Sequence, residues 1–326
     1  MPPRILVTGF EPFASHEENI SQQIIDSLSS ESQKFYSLET DILTVDEKGS
    51  RRTSERINKG EKFHAILHLG FSESTKNIRL ERLAKNQYKM AIPDNSGRQI
   101  TNGAIEDAPL TLLETNSPIN ELNEVLNHSR EVIWSNDAGG FVCNETYFRT
   151  LLSSLDSESV VVLFAHLPSK ENIPVFSQLE IIRKICNCLC GRKHFRVSSG
   201  LLIDDRGRVL SCRRPPGDSW TGMWEFPGGK IESGESSREA VIREIEEELG
   251  VSVNPGREIT VTDYSYDDWD ISLHLWHCGV VDSGSIRLME HDQVRWLSKE
   301  EILEVDWLPA DLPIVKEWAR KGIPPS

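Results

Sequence analysis

The sequence predicts two successive domains of mixed α and β structure, and three features support this. At 326 residues the chain is longer than the roughly 100–200 residues that one domain usually takes. Short apolar runs alternate with helical patterns as far as residue 190, which is typical of a largely parallel sheet covered on both faces. After position 193 the pattern starts afresh with a strand, a turn and a second strand. We therefore predict an α/β domain over residues 1–190 and an α+β domain over residues 194–326.

The elements of the first domain follow from its apolar runs. Each predicted strand is short, continuous and apolar. These strands lie at residues 4–8, 65–70, 131–134 and 160–165. One amphipathic helix is predicted to begin at residue 20, and a last helix over residues 178–190 closes the domain.

The second domain is predicted to hold a mixed sheet with flanking helices. Its strands lie at residues 195–203, 208–213, 258–264 and 271–280. A turn of Asp-Asp-Arg-Gly separates the first two strands, which favours a hairpin. The helix of residues 237–249 is predicted to end at Gly250, because glycine commonly terminates helices.

Composition excludes several classes of function. The chain has 51 acidic and 36 basic residues, hence a net charge of −15, which disfavours binding to a nucleic-acid polymer. No apolar stretch reaches the ~18 residues that a membrane span needs, and the first residues do not read as a secretory signal. The six cysteines fit neither a disulfide framework nor paired zinc ligands. We expect a protein of the reducing cytoplasm whose partner is a small molecule or peptide.

Three residues of the first domain have the types needed for nucleophilic catalysis. Cys143 follows a predicted strand and loop and precedes a helical run, so its sulfur lies near a helix N-terminus that favours a thiolate. The backbone N–H groups there could also hold the oxyanion formed when a thiolate attacks a carbonyl. His166 ends a strand at the sheet edge where open α/β folds place their sites. Glu81 could orient this histidine, completing a Cys–His–acid arrangement.

Each of these residues also has a plain structural interpretation. A lone cysteine is usually a small buried hydrophobic side chain. A histidine at the end of a strand commonly makes structural hydrogen bonds, and Glu81 could be a solvated residue on a helix. Spacing alone leaves these alternatives open.

Five short sequence motifs favour the catalytic interpretation of these residues, because the motifs resemble those of a known family. The strings are GFEPF at residues 9–13, LERLAKN at 80–86, IPDNSG at 92–97, SNDAGGFVCN at 135–144 and FAHLP at 164–168. Their order resembles that of pyroglutamyl peptidase I, also called pyrrolidone-carboxylate peptidase. The resemblance implies a phosphorylase/hydrolase-like α/β fold, a pyroglutamyl peptide as substrate and a homo-oligomer through this domain.

The same resemblance assigns roles to particular residues. It makes Cys143 the nucleophile, His166 the general base and acid, and Glu81 the residue that orients the histidine. It places Phe10 and Phe13 against the pyroglutamyl ring, for which apolar walls are suitable.

The sequence departs from this family at two points, and the second favours an alternative function. The family usually continues GFEPF with two glycines, whereas Ala14-Ser15-His16 follows here, and Ala91 stands where the family usually has an arginine. Loss of that cation could weaken oxyanion stabilisation or substrate placement. The alternative is that the first domain is a degenerate binding or oligomerisation module and that only the second domain is an enzyme.

The helix predicted in the second domain carries a row of carboxylates on one face. Glu244, Glu247 and Glu248 are spaced i, i+3 and i+4, so they lie together on that face. Their mutual repulsion is explained if a divalent cation lies between them, and hard oxygen ligands suit Mg²⁺ bridging to phosphates. A solvated acidic helix is the plain alternative. A P-loop is excluded, because Trp224 and Ile231 occupy positions that it requires as glycine and as serine or threonine.

The run GKIESGESSREAVIREIEEELGV from Gly229 resembles the Nudix box. The surrounding strings SCRRPPG, GMWEFPGGKIESGE, LHLWHC, EHDQVRWL and WLPADLPIV resemble the MutT-like branch of this family. The resemblance implies an Mg²⁺-dependent hydrolase, with Mn²⁺ as a substitute, that converts a nucleoside triphosphate to the monophosphate and pyrophosphate. By position, its metal ligands are Gly228 (or the following glycine), Glu244, Glu247, Glu248 and Glu290.

The remaining roles in this domain also come from the resemblance. Glu244 is the candidate base that helps deprotonate water, and Arg213 contacts nucleotide phosphate. Phe226 and Asp311 hold the nucleobase. The expected order of substrates is 8-oxo-dGTP first, then CTP or a methylated cytosine nucleotide. An alternative is that Asp311 only caps the helix that follows it.

Overall fold

The computed structural model describes residues 2–14, 16–126, 129–155, 160–217 and 220–325. The chain forms two compact units, Met1–Arg192 and Lys193–Ser326. In the described part of the chain, no helix has both the length and the apolar character that crossing a lipid bilayer demands.

The first unit is built on a six-stranded sheet with a smaller two-stranded ladder beside it. Its strands are β1 (Arg4–Phe10), β2 (Ser37–Leu43), β3 (Ala65–Phe71), β4 (Ile78–Glu81), β5 (Leu83–Lys85), β6 (Leu112–Glu114), β7 (Val132–Ser135) and β8 (Val161–Leu167). The large sheet has the order β2-β1-β3-β8-β4-β7, and β5 pairs with β6. Every neighbouring pair in the large sheet is parallel except β4 with β8, which is antiparallel.

Helices cover both faces of this sheet, as the continuous apolar strands predict. The helices are α1 (Ile20–Ser29), α2 (Glu47–Asn58), α3 (Ile119–Leu126), α4 (Val142–Ser154) and α5 (Val175–Leu189). One hydrophobic core contains side chains of α1, α3 and α5, and the other contains side chains of α2 and α4. Strand β1 contributes to both, with Ile5 and Val7 in the first core and Leu6 in the second, because successive strand side chains point to opposite faces.

The second unit contains a mixed sheet of seven strands. They are β9 (Lys193–Ile203), β10 (Val209–Arg213), β11 (Trp224–Glu225), β12 (Gly228–Lys230), β13 (Glu258–Ser265), β14 (Trp269–Val280) and β15 (Gln293–Leu297). The order is β11-β10-β9-β14-β13, with β12 also paired to β9 and β15 to β10. Strands β9 and β14 are parallel and the other pairs antiparallel.

Two α-helices flank this sheet, α6 (Ser237–Leu249) and α7 (Leu312–Lys321). The side chain of Ser236 accepts a hydrogen bond from the Glu239 backbone N–H, and Glu239 bonds back to the Ser236 backbone. This capping box fixes the first turn of α6. Gly250, at φ 63°, ends the helix in a left-handed conformation. Both ends of α6 therefore lie where the sequence predicts them.

The mixed α/β character predicted from the sequence is confirmed. The predicted strands are all present, with ends displaced by up to a few residues, and α5 begins three residues earlier than predicted. The structural interpretation of Glu81 as a solvated residue on a helix does not agree with the structure. Glu81 belongs to strand β4 and is fully buried, so its placement on a solvated helix is wrong.

Candidate active sites

Cys143 is the second residue of α4, so the predicted position near a helix N-terminus is present. The helix begins after Phe141, whose side chain makes no capping bond. The sulfur packs closely against β3, because a methyl group added at Gly70 would lie 3.0 Å from the Cys143 Sγ. All six cysteines are free. Cys143 is half-buried, and the other five are buried.

Strands β4 and β8 bring Glu81 and His166 together. The Glu81 Oε1 lies 2.7 Å from the His166 Nδ1, and both residues are buried. The Tyr147 hydroxyl on α4 donates a hydrogen bond of 2.8 Å to the Glu81 backbone carbonyl. The carboxylate therefore fixes the histidine ring and leaves its Nε2 as the nitrogen available for other chemistry.

A cavity of about 330 Å³ connects the cysteine with the histidine. His166 and Cys143 both line it, and its apolar walls come from aromatic side chains. These are Phe10, Phe13, Phe71 and Phe141. The rings of Phe13 and Phe141 are 5.9 Å apart. The two phenylalanines predicted to hold the substrate thus lie in the same cavity as the predicted nucleophile and base.

The surroundings of Cys143 oppose a free thiolate. Burial raises the pKa of the Cys143 thiol to about 12, and the negative charge of Glu81 adds to the increase. The Cys143 backbone N–H and the Arg79 guanidinium act in the opposite direction. Without a base, Cys143 would remain a protonated thiol at neutral pH. Nucleophilic attack therefore needs a base that takes its proton.

Arg79 is a cavity residue that the sequence analysis did not identify. Its Nε lies 3.3 Å from the Glu81 Oε1 and its Nη2 lies 3.5 Å from the His166 Nδ1. Strand periodicity is the signal that could have found it, because residues two apart on a strand share a face. Ala91, by contrast, is exposed and is absent from the described residues that line the cavity.

The second candidate site is centred on Glu248 of α6. This carboxylate is buried, and its Oε2 accepts a hydrogen bond of 2.9 Å from the Gly228 backbone N–H. Burial raises the Glu248 pKa to about 8, and the nearby carboxylates of Glu225 and Glu244 add to the increase. His291 and the Gly228 N–H lower it. A buried acid surrounded by other acids is suited to bind a cation.

Arg243 holds the other carboxylates of this helix. Its Nη1 lies 2.7 Å from Glu244 and 3.2 Å from Glu247, and its Nε and Nη2 donate to Glu235 at 2.9 Å. Burial raises the pKa of Glu244, which Arg243 opposes and the charges of Glu247 and Glu290 reinforce. Arg243 therefore braces these three carboxylates through ion pairs.

Two glycines allow strand β12 to approach these carboxylates. Gly228 has φ +148°, and a methyl group there would lie 2.2 Å from the Ser198 carbonyl oxygen. A methyl group at Gly229 would lie 2.4 Å from the carboxyl carbon of Glu244. Gly228 therefore cannot take a Cβ, and a Cβ at Gly229 would displace the Glu244 carboxylate.

The chemistry of this acidic face fits a hard divalent cation. Carboxylate oxygens of Glu244, Glu247 and Glu248 lie on one helix face, and the negative charge of Glu290 is close enough to raise the Glu244 pKa. Across the described ranges of the chain, however, no three such side chains are arranged to hold one ion. In this arrangement Glu244 and Glu247 are paired with Arg243.

A cavity of about 560 Å³ adjoins strand β12, whose three residues all line it. Its lining includes Gly228 and Gly229, both residues predicted to hold the base, and a group of aromatic side chains. The aromatic residues are Phe195, Trp220, Phe226, Tyr266 and Trp269. A cavity of this size with aromatic walls suits a planar ligand.

Asp311 faces this cavity and does not cap the helix. It occupies the position before α7, but its side chain makes no capping bond. Its Oδ1 instead accepts a 3.4 Å hydrogen bond from the Phe226 backbone N–H. Burial raises the Asp311 pKa well above its usual value, helped by the charge of Glu225. The capping alternative is therefore wrong.

Arg213 and the next residue, Arg214, have different partners in the structure. Arg213 forms a two-pronged ion pair with Asp292 at 2.8 and 2.9 Å. Arg214 lines the cavity and binds Glu225 at 2.8 Å. Sequence position alone could not distinguish these two arginines.

The fold and these groups define a chain of two hydrolase units, one with the centre of a cysteine peptidase and one with a Nudix-type acidic helix. Residues 3–180 match the pyroglutamyl peptidase family, and the chain belongs to that family. Residues 193–319 match the NUDIX domain.

Individual relatives agree with both assignments. The chain is 30% identical over 168 residues to the pyrrolidone-carboxylate peptidase of Thermococcus litoralis, covering 51% of this chain and 76% of that protein. It is 37% identical over 116 residues to the CTP pyrophosphohydrolase of Escherichia coli, covering 35% of this chain and 84% of that protein. The crystal structure of the pyrrolidone carboxyl peptidase of Fervidobacterium islandicum superimposes with a TM-score of 0.52 at 29% identity, covering 56% of this chain and 96% of that one.

Proposed function

We propose that the chain is a bifunctional hydrolase. Its first unit removes N-terminal pyroglutamate from peptides, and its second unit is an Mg²⁺-dependent nucleoside triphosphate pyrophosphohydrolase. The division into domains at residues 1–190 and 194–326 is part of the proposal. The free state of all six cysteines is consistent with a reducing, cytoplasmic setting.

The observation that supports the peptidase function is the shared cavity of Cys143 and His166, with Glu81 at 2.7 Å from the ring. His166 takes the thiol proton, and the thiolate attacks the pyroglutamyl carbonyl carbon. The protonated histidine then donates its proton to the leaving amine, so the peptide departs and a thioester remains. Water, deprotonated by His166, hydrolyses the thioester and releases pyroglutamate.

The observation that supports the second function is the buried Glu248, which accepts a hydrogen bond from Gly228, a glycine that lines the cavity with aromatic walls. A divalent cation bound by Glu244, Glu247 and Glu248, with Gly228 and Glu290 nearby, would offset phosphate charge and acidify a water molecule. Glu244 is proposed to accept the proton of the attacking water, because its carboxylate lies on the same face. Attack at phosphorus releases a nucleoside monophosphate and pyrophosphate.

The proposed nucleotide preference depends on Asp311. A buried carboxyl with a raised pKa can donate a hydrogen bond as well as accept one, unlike a carboxylate. We therefore propose that it reads the edge of an oxidised guanine, which makes 8-oxo-dGTP the preferred substrate. A cytosine nucleotide is the second candidate, and the resemblance to a CTP pyrophosphohydrolase favours it.

One experiment tests both functions on the intact chain. A fluorogenic pyroglutamyl amide is assayed over roughly pH 6–9, where a cysteine–histidine pair should cycle. Pyrophosphate release is assayed with 8-oxo-dGTP, dGTP, CTP and 5-methyl-dCTP, in Mg²⁺, in Mn²⁺ and in EDTA.

The outcomes separate the alternatives. Amide cleavage together with metal-dependent pyrophosphate release supports the bifunctional enzyme. Nucleotide hydrolysis without any amide cleavage in that pH range would mean that the first unit is a degenerate binding module. Nucleotide hydrolysis that persists undiminished in EDTA would contradict the metal assignment.

A further inference from the structure

We infer that Arg79 is a positioning residue for the thiol chemistry of the first unit: its guanidinium balances the charge of Glu81 and favours the thiolate form of Cys143. This inference rests on the peptidase function proposed above. It assigns the positive charge of this centre to β4, whereas the resemblance leads one to expect a cation at position 91, where this chain has alanine.

The register between β4 and β8 gives Arg79 its place. Arg79 lies directly opposite His166 in this antiparallel pair, and Glu81 lies two residues further along β4 on the same face. The guanidinium therefore lies beside the hydrogen bond between the carboxylate and the histidine. Its Nε reaches the Glu81 Oε1 at 3.3 Å, the same oxygen that binds the His166 Nδ1.

The distances decide which partner the histidine nitrogen binds. The Glu81 Oε1 is 2.7 Å from the His166 Nδ1, whereas the Arg79 Nη2 is 3.5 Å from it, which is too long for a strong hydrogen bond. Nδ1 therefore carries the ring hydrogen and donates a hydrogen bond to Glu81. His166 Nε2 stays free to accept the proton of Cys143, and Arg79 acts through its charge.

The need for that charge follows from burial. Glu81 has no exposed surface, and its negative charge disfavours a second negative charge on the Cys143 sulfur. Arg79 has a side chain that is 25% exposed, and it favours the thiolate. With Arg79 present, the thiolate faces a neutral pair of side chains in place of a lone carboxylate.

No other cation among the described residues lines this cavity. The charged and titratable groups that face Cys143 are Arg79 and Glu81 on β4, His166 on β8, and Asp137 in the loop before α4. Asp137 is already paired, because the Lys85 Nζ lies 2.9 Å from its Oδ1. Arg79 is therefore the group whose removal would change the charge balance at the sulfur.

The test measures the reactivity of the thiol, which does not require peptidase activity. The intact protein is treated with iodoacetamide at a series of pH values, and modification of Cys143 is followed by peptide mass spectrometry. The variants are Arg79→Gln, which removes the charge, and Arg79→Lys, which keeps it. Arg82→Gln is the matched control, because Arg82 adjoins the same strand but stacks on Trp134 at 5.4 Å.

We expect Arg79→Gln to raise the pH of half-maximal alkylation by about one unit, and to slow alkylation at pH 7 about tenfold. Arg79→Lys should recover most of the rate, and Arg82→Gln should behave as the wild type. An unchanged pH profile in Arg79→Gln, an equal shift in Arg82→Gln, or equal profiles for the glutamine and lysine variants would each overturn the inference. Thermal unfolding verifies that each variant is folded.

The result is separable from the fate of the proposed function. If the wild type cleaves no pyroglutamyl amide but the alkylation profile shifts as expected, the peptidase proposal fails and the role of Arg79 stands. If the wild type cleaves the amide and the profile does not shift, the peptidase proposal stands and the role of Arg79 fails.

Discussion

Replacement of Glu248 by glutamine should have two opposite effects, on turnover and on stability. The glutamine keeps the shape of the side chain and an oxygen that can accept the Gly228 N–H bond, but it removes the negative charge of the proposed metal ligand. We expect turnover with Mg²⁺ to fall by at least ~10²-fold, comparable to the loss of one strong electrostatic group at a reacting centre. Pyrophosphate release at saturating nucleotide measures this.

The stability effect follows from the raised pKa of Glu248. Its pKa is about 8 in the folded protein against a usual 4.5, so between these values the folded state holds a proton that the unfolded state has lost. Stability contributed by this group is therefore lost as pH rises, by at most about 1.4 kcal/mol per pH unit. Glutamine does not titrate, so the metal-free variant should gain stability over the wild type as pH increases.

Thermal unfolding in EDTA at pH 5.5, 6.5 and 7.5 tests this. The difference in unfolding temperature between the variant and the wild type should grow with pH. Glu246→Gln is the matched control, since Glu246 lies on the same helix but is exposed. Parallel unfolding curves for the wild type and Glu248→Gln across this range would refute the burial argument, and full turnover in the folded variant would refute the metal assignment.

Three further predictions use other parts of the two sites. Cys143→Ala should abolish pyroglutamyl amide cleavage and leave pyrophosphate release intact; loss of both would show that the substitution unfolds the chain. Asp311→Ala should reduce the preference in kcat/KM between the best and an ordinary nucleotide by ~10- to 100-fold, because one or two buried hydrogen bonds are lost; an unchanged ratio would exclude base reading. Gly229→Ala should push Glu244 aside and raise the Mg²⁺ concentration needed for half-maximal turnover. Gly256→Ala is the control, because Gly256 has no positive φ and an added methyl group would lie 3.9 Å from its nearest neighbour.

Local patterns were sufficient to predict most of the fold. The bounds of α6 came out as predicted because both of its ends are encoded by local side chains, a capping serine and a terminating glycine. Four strands of the first unit, β1, β3, β7 and β8, are predicted because a sheet covered on both faces requires continuous apolar runs. The more polar or very short strands β2, β4, β5 and β6 lack such runs and are not predicted. The sequence leaves a helical placement of Glu81 open, because β4 has only four residues and an alternating pattern this short does not distinguish a strand from a helix.

The contacts that depend on pairing between distant strands could not be predicted. Arg79 lies close to His166 only through the register of β4 with β8, which joins segments more than 80 residues apart. Likewise, Arg213 pairs with Asp292, which is 79 residues away in the sequence, whereas Arg214 lines the cavity. Neither partner is marked by spacing in the sequence.

The reversed direction of β4 against β8 also determines which changes in chain length the first site tolerates. Because the pairing holds Arg79 opposite His166, the loop of residues 72–77 can be lengthened or shortened without moving either side chain, provided that the pairing survives. A slip of one residue within β4 would turn both charged side chains to the opposite face of the sheet. Loop grafts between β3 and β4 are thus a means of altering the mouth of this cavity, whereas an insertion inside β4 would separate the histidine from its carboxylate.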